Sequence, residues 1–336
     1  MDGGGEGTEA GRALARLRAL AGGDLSVLSS DATCDASHPF GSGRGASAAA
    51  PWRALHAALP DLERRDTILL AGPNHPDARW TAPRPARMVA ALGTYVGTFR
   101  APLAGIPPTH GVVALAYGEA HHLDADGRIA ASHLVWDLAG LMIQTGCWPM
   151  AAPLGAPGHW PAPATCDGLR LGARPAGDDR DSLDRVLEMH EGLNTFRGDD
   201  VDAIDMRHWH PDFTYWAAGG IGACRGVAGF RAHHQIPYRR AFPGAVGAGH
   251  FVRLSDGPYA VTGGDVALTH SGADYMGVGA SGRALRFRVM DFYRFGPDGR
   301  IAENWLPNDT LGLLHQMGVD VLARVAHHAG APRRTL

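Results

Sequence analysis

The chain carries a long internal repeat, and that constrains its fold more than any other feature. Residues 105–146 lie on residues 277–318 without a gap at an offset of 172. Twelve of the 42 aligned positions are identical, where chance would give about three. The matches include Asp126-Gly127-Arg128-Ile129-Ala130 on Asp298-Gly299-Arg300-Ile301-Ala302, and Asp137, Gly140 and Leu141 on Asp309, Gly312 and Leu313. Upstream, Arg44-Gly45 precedes a helical stretch ending at Leu59-Pro60, and Arg225-Gly226 precedes one ending at Phe242-Pro243. Two long copies mean a duplicated domain rather than a solenoid. The expected division of the 336 residues is a first domain over 1–147, a linker over 148–181 and a second domain over 182–336. Pro149, Pro153, Pro157, Pro161, Pro163 and Pro175 make the linker extended. Trp148, Leu154, Trp160 and Leu169 should hold it along a surface.

The second copy reads as α+β. Ser182 is a plausible N-cap for a helix whose apolar face is Leu183, Val186, Leu187 and Leu193. Phe213–Trp216 reads as a strand, and a second helix begins near Val227. Tyr259–Thr262 and Val266–Ser271 read as two strands either side of a Gly263-Gly264 turn. Leu285–Phe295 and Ile301–Pro307 form an antiparallel hairpin around Pro297-Asp298-Gly299, and Asp309 to Met317 closes the copy as a helix ended by Gly318.

The hairpin allows a geometric step. With Gly296–Gly299 as the loop, Asp291 faces Asn304, Val289 faces Leu306 and Phe287 faces Asn308. These residues share one face with Tyr293 and Phe295, and Arg286, Arg288 and Arg294 take the other. The mostly apolar face, the one that must be buried, therefore carries a carboxylate and an amide. In the first copy the same construction puts Glu119 opposite Ser132, with Tyr117, His121 and Trp136 nearby. A carboxyl in an apolar hollow holds its proton to higher pH, which makes Asp291 a candidate proton donor or shuttle. His234 and His270 are candidate bases in the same pocket. Trp209 and Tyr215 are expected to line it with Phe287, Val289, Tyr293, Leu306 and Asn308. Asp137 and Asp309 each stand where a helix begins, as N-caps do. Asp309 is also the second acid that a water-activating hydrolase would need.

Composition narrows the chemistry. All 31 basic residues are arginine, which removes Schiff-base and phosphate-loop lysine chemistry. A net charge of -3 leaves no basic footprint for nucleic acid or anionic lipid. No run of apolar residues is long enough to span a membrane. The amino terminus, with Asp2, Glu6 and Glu9 among glycines, does not read as a secretory signal. Cys34, Cys147, Cys166 and Cys224 form no C-x-x-C pair. These features suit a cytoplasmic protein. The histidine pairs fix no third ligand, so no metal and no cofactor is expected.

The runs Phe287–Phe295, Asp298–Trp305 and Asp309–Gly318 resemble the carboxy-terminal signature of SnoaL-like polyketide cyclases, and Gly105–Thr109 with Asp137–Gly146 resembles the same family. The resemblance implies a nuclear transport factor 2-like cone per copy, a curved antiparallel sheet with helices closing a pocket, and places Asp291 and Asn304 inside the second cone. It implies an acid donating a hydrogen bond to a developing enolate, as in the related ketosteroid isomerases. The cyclases of this family typically have histidine where Asp291 stands and a catalytic aspartate two residues beyond Asn304. Here that second position is Leu306, and Leu134 in the first copy. The expected activity is cofactor-independent cyclisation, isomerisation or dehydration of a hydrophobic small molecule. The alternatives are a hydrolase and a non-catalytic binding module. The tandem makes a dimer-like unit within one chain, which could still form homo-oligomers.

Overall fold

The computed structural model describes residues 7–158, 160–172, 180–196 and 200–330. His159, Pro175 and the ends 1–6 and 331–336 lie outside them, so parts of the linker and amino-terminal readings fall there. In the first copy, α1 (Glu9–Ala21) and α2 (Ala50–Ala58) accompany β1 (Leu28–Ala36), β2 (Gly41–Arg44), β3 (Glu63–Pro73), β4 (Arg87–Thr98), β5 (Val112–Leu123) and β6 (Ile129–Trp136), and α3 (Leu138–Gln144) closes it. The second copy runs α4 (Asp181–Thr195), β7 (Trp209–Ala217), β8 (Ala223–Arg225), α5 (Gly226–Phe230), a π-turn, α6 (Ile236–Ala241), β9 (Val246–Asp256), β10 (Tyr259–Thr269), β11 (Ala284–Phe295), β12 (Ile301–Leu306) and α7 (Thr310–Gln316), followed by α8 (Val321–Gly330). The strand orders are β2-β1-β6-β5-β4-β3 and β8-β7-β12-β11-β10-β9, one topology used twice. The architecture is α+β, two six-stranded cones.

Each sheet is mixed rather than wholly antiparallel, because β1 pairs β6 and β7 pairs β12 in parallel. Most of a copy separates those partners in sequence, so no hairpin dictates their direction. Two local expectations also change. Gly263-Gly264 is no turn but the middle of β10, where the glycines admit a neighbouring backbone: a Cβ on Gly264 would stand 2.0 Å from the Gly249 carbonyl oxygen. The cap of α4 falls at Arg180, and the Ser182 hydroxyl donates to the Gly257 carbonyl at 2.5 Å.

Both faces of each sheet are buried. One packs under the copy's own helices. The other meets the opposite sheet, with Ile68, Leu70 and Leu92 against Val252, Leu254, Met290 and Phe292. Arg288 and Arg294 on that face are thus largely interior while Arg286 at its margin is exposed, and each guanidinium has a carboxylate: Arg286 and Arg288 share Asp265, Arg288 also pairs Asp35 of the first copy, and Arg294 pairs Glu303. The N-cap aspartates join the copies reciprocally. Asp137 accepts from Gly140 N at 2.7 Å and from Gly219 N of the second copy at 2.9 Å. Asp309 accepts from Gly312 N at 2.8 Å and from His38 N of the first copy at 3.0 Å.

The inter-copy segment runs along sheet edges. Leu69 N donates to Gly168 O beside β3, and Ala156 exchanges backbone bonds with Ala223 of β8. Trp160 is buried, its indole N–H donating to Ala217 O at 3.3 Å.

Candidate active site

The hairpin register differs from the sequence expectation by two residues, because the loop takes five residues and a bulge follows at Phe295. Tyr293, not Asp291, is the Cα partner of Asn304, and Val289 bridges Asn308. In the first copy Glu119 faces Leu134, and Ser132 faces His121. A shift of two preserves parity, so the same side chains stay on the same face. Asp291 keeps its amide: Asn304 Nδ2 donates to Asp291 Oδ1 at 3.2 Å and to the Phe292 carbonyl at 3.1 Å.

Asp291 lines a cavity of about 180 Å³ inside the second cone. Its walls come from α4 (Met189, His190, Leu193), β7 (Trp209, Tyr215), the helical layer (Phe230, His234, Tyr238) and the sheet (Val266, Phe287, Val289, Tyr293, Asn304, Leu306). The helices form where they do because their apolar stripes, such as Leu183, Val186 and Met189 of α4, must cover this hollow. By surface area Asp291 is only partly buried, its exposed part facing the cavity. Loss of water around it pushes its carboxyl up to about 7, against the opposing hydrogen bonds of Asn304 and Tyr293. His234 is pushed down to about 3 by burial and then by Arg239, so its imidazole is neutral. The Tyr215 hydroxyl and His234 Nδ1 are buried without a protein partner. These two unsatisfied polar atoms belong to rings whose centroids lie 5.0 Å apart, and a ligand's oxygen would satisfy them. The Tyr293 hydroxyl meets His190 Nε2 at 3.1 Å.

Three expected residues lie elsewhere. His270 does not line the cavity; it is fully buried, receives Ser281 N–H at Nδ1 (3.2 Å) and holds the Ala273 carbonyl at Nε2 (3.1 Å), fastening the β10–β11 loop. Asp309 is at the inter-copy contact, so it shares no cavity with Asp291. Asn308 is tied to the Leu306 carbonyl and the Thr310 hydroxyl.

The first cone has the same shell and a different interior. Glu119 is fully buried and accepts from Arg64 Nη1 (2.6 Å), the Tyr95 hydroxyl (2.8 Å) and the Trp136 indole (2.9 Å), with His121 Nε2 at 3.2 Å. His121 Nδ1 meets the Ser132 hydroxyl at 2.9 Å. The expected upward shift of this carboxyl is reversed: Arg64 and His121 outweigh desolvation and hold Glu119 well below the usual range. Strand pairing aligns Arg64, Tyr95 and Tyr117 with Gly247, Val266 and Val289. Three large side chains replace three small ones, and Arg64 stacks over Tyr117 at 4.4 Å. Arg64 lies outside the gapless repeat, so nothing in the pattern of residues pointed to a cation reaching Glu119.

Gly247, Arg79 and His250 also line the second cavity and escaped the sequence reading. The β9 region is glycine-rich, and Arg79 comes from the other copy. Among the described residues no group of three or more His, Cys, Asp or Glu is placed to hold a metal, and no helix is long and apolar enough to cross a membrane.

A curved six-stranded sheet whose helices enclose a pocket beneath a long hairpin defines a nuclear transport factor 2-like cone. Residues 186–304 match the model of the SnoaL-like domain family, and the first copy repeats the strand order of the second. Similar solved structures include AclR from Streptomyces galilaeus (21% identity, 42% of this chain, 98% of that one, TM-score 0.35). IdmH from Streptomyces antibioticus (18%, 41%, 99%, 0.33) and an NTF2-like protein from Anabaena variabilis (15%, 42%, 98%, 0.32) are two others. Among curated proteins none matches.

Proposed function

We propose that the second cone is a cofactor-independent active site for proton transfer on a hydrophobic, polyketide-like small molecule, with Asp291 as the group that moves the proton. The observation that carries this is Asp291 lining a mostly apolar cavity beside two buried polar atoms with no protein partner, where burial pushes its carboxyl up to about 7. In its neutral form Asp291 donates to a carbonyl oxygen of the ligand and stabilises the enolate that develops, and the Tyr215 hydroxyl supplies a second donor. In its ionised form it removes a proton from carbon. A group whose pKa matches the working pH is populated in both forms, so one carboxyl can take a proton at one atom and return it at another. Isomerisation suits this shuttle best, and cyclisation or dehydration needs only that an adjacent ligand group leave or attack. His234, neutral and weakly basic, orients the ligand rather than deprotonating it. Asn304 fixes the carboxyl's rotation.

The hydrolase reading loses its second acid, because Asp309 is committed to a helix cap and a cross-copy bond. The first cone, filled by Arg64, Tyr95 and Tyr117, is the structural partner. On this reading 1–147 and 182–336 are the two domains and 148–181 joins them, with the thiols free as in the cytoplasm.

Val289→Tyr tests the reading by copying the first cone's filling into the second. Turnover of a panel of aromatic polyketones should fall at least 100-fold in Val289→Tyr and in Asp291→Asn, with melting temperature held or raised. The Asp291 carboxyl, followed by 13C NMR, should titrate near pH 7. A midpoint below pH 5, or Asp291→Asn turning over like the parent, would falsify the assignment.

A further inference from the structure

The two copies differ most between their third and fourth strands. In the second copy only Gly257 and Pro258 join β9 to β10, whereas the first copy inserts residues 74–86 between β3 and β4. That insertion does not stay with its own cone. It runs as a strap along β9: His75 N donates to Arg253 O at 3.1 Å, Arg253 N to Asn74 Oδ1 at 2.9 Å, and Asn74 Nδ2 to Phe251 O at 3.0 Å. The Trp80 ring meets Phe251 edge-on at 5.6 Å. Gly249 admits the strap, since its φ is +112° and a Cβ there would lie 2.7 Å from Trp80 N.

The strap delivers Asp77, which is 7% exposed, to His250, a residue of the second cavity's wall. Asp77 Oδ2 accepts from His250 N (3.0 Å), meets His250 Nδ1 (3.0 Å) and pairs Arg253 Nη2 (2.5 Å), and Arg79 closes on the same carboxylate. The His250 ring stacks on His190 at 5.4 Å, and His190 reaches the Tyr293 hydroxyl, which is within hydrogen-bonding reach of Asp291. Asp77, Arg79, Arg253 and His190 are the ionisable groups facing His250. His190, His250, Tyr293 and Arg79 all line the cavity.

We propose that residues 74–86 of the first copy are a working part of the second cone, and that Asp77 is a positioning residue holding the His250–His190–Tyr293 row against Asp291. The second site is incomplete without the first copy, which explains why a filled cone is kept. The proposal deepens the proton-transfer reading by naming what sets the carboxyl's surroundings.

The test uses the full chain with Asp77→Asn. Side-chain 15N spectra report the His250 and His190 tautomers, and 13C spectra report the Asp291 midpoint. The strap predicts altered histidine signals together with a shift of one unit or more in the Asp291 midpoint, because the row bears on Asp291 through Tyr293, whose hydrogen bond offsets part of the effect of burial. Unchanged histidine signals, or altered ones with an unmoved Asp291, overturn it. Should Asp77→Asn not fold, Gly249→Ala lifts the strap without touching a charge and must shift the same midpoint. If Asp291 in the parent titrates below pH 5, the proton-transfer reading fails, and the strap is judged by the histidine signals alone.

Discussion

Asp291 and Glu119 occupy equivalent positions and have opposite electrostatics. Burial raises the first to about 7, and the arginine beside the second holds it low. The consequences for stability also have opposite signs. With a folded pKa above its unfolded value near 4, Asp291 costs nothing below pH 4, and its cost grows as pH rises to about 7. A shift of this size corresponds to about 4 kcal/mol. Asp291→Asn should therefore be more stable than the parent at pH 8 and equal to it at pH 3.5, as read by urea unfolding at both. Glu119 contributes stability above its unfolded pKa that is lost as acid protonates it. Arg64→Met should cost about 3–5 kcal/mol, since it strands a buried carboxylate, and adding Glu119→Gln should recover most of that in a double-mutant cycle. The acid at each position was legible from side-chain parity alone. Its partner was not, because Arg64 lies on β3, outside the stretch that aligns without gaps.

At the scale of elements, the repeat made the closing hairpin and final helix legible, and parity survived a register error of two residues. The β9 strand was not legible. Its Val246-Gly247-Ala248-Gly249 start has no alternating pattern, because small residues there make room for the cavity and for a loop from elsewhere in the chain. The same cause hid the continuity of β10. Gly264→Ala should cost several kcal/mol through its clash with the Gly249 carbonyl, a loss visible as a lower urea midpoint. The N-cap aspartates were legible as caps but not as links between copies. Asp137→Ala should cost about 1–2 kcal/mol for the cap and more for the stranded Gly219 N–H, whereas Asp137→Asn, which still accepts, should cost much less. Because burial raises Asp137 to about 6, the difference between parent and Asp137→Asn should narrow as pH rises from about 4 to about 6 and level off above that, as thermal melts at pH 4 and 8 would show.

For the whole molecule, the apolar layer between the sheets, the reciprocal caps and the strap join the two cones into one folding unit. Calorimetry should accordingly show a single unfolding transition, with Asp291→Asn and Arg64→Met moving it as one. The pairing of two cones was legible in the repeat. Their division of labour was not, since one copy's interior is closed by side chains that align with glycine and valine in the other.

The path of the joining segment and the strap has a further effect. Unpaired sheet margins invite foreign strands, and twelve strands in two layers leave four such margins. Here β3 is paired by Gly168 and Arg170, β8 by Ala156, and β9 by the strap, while β2 is only Gly41–Arg44. A chain this rich in β-structure thus offers little template for fibril growth, and loosening its connecting segments would invite self-association before any strand itself was altered.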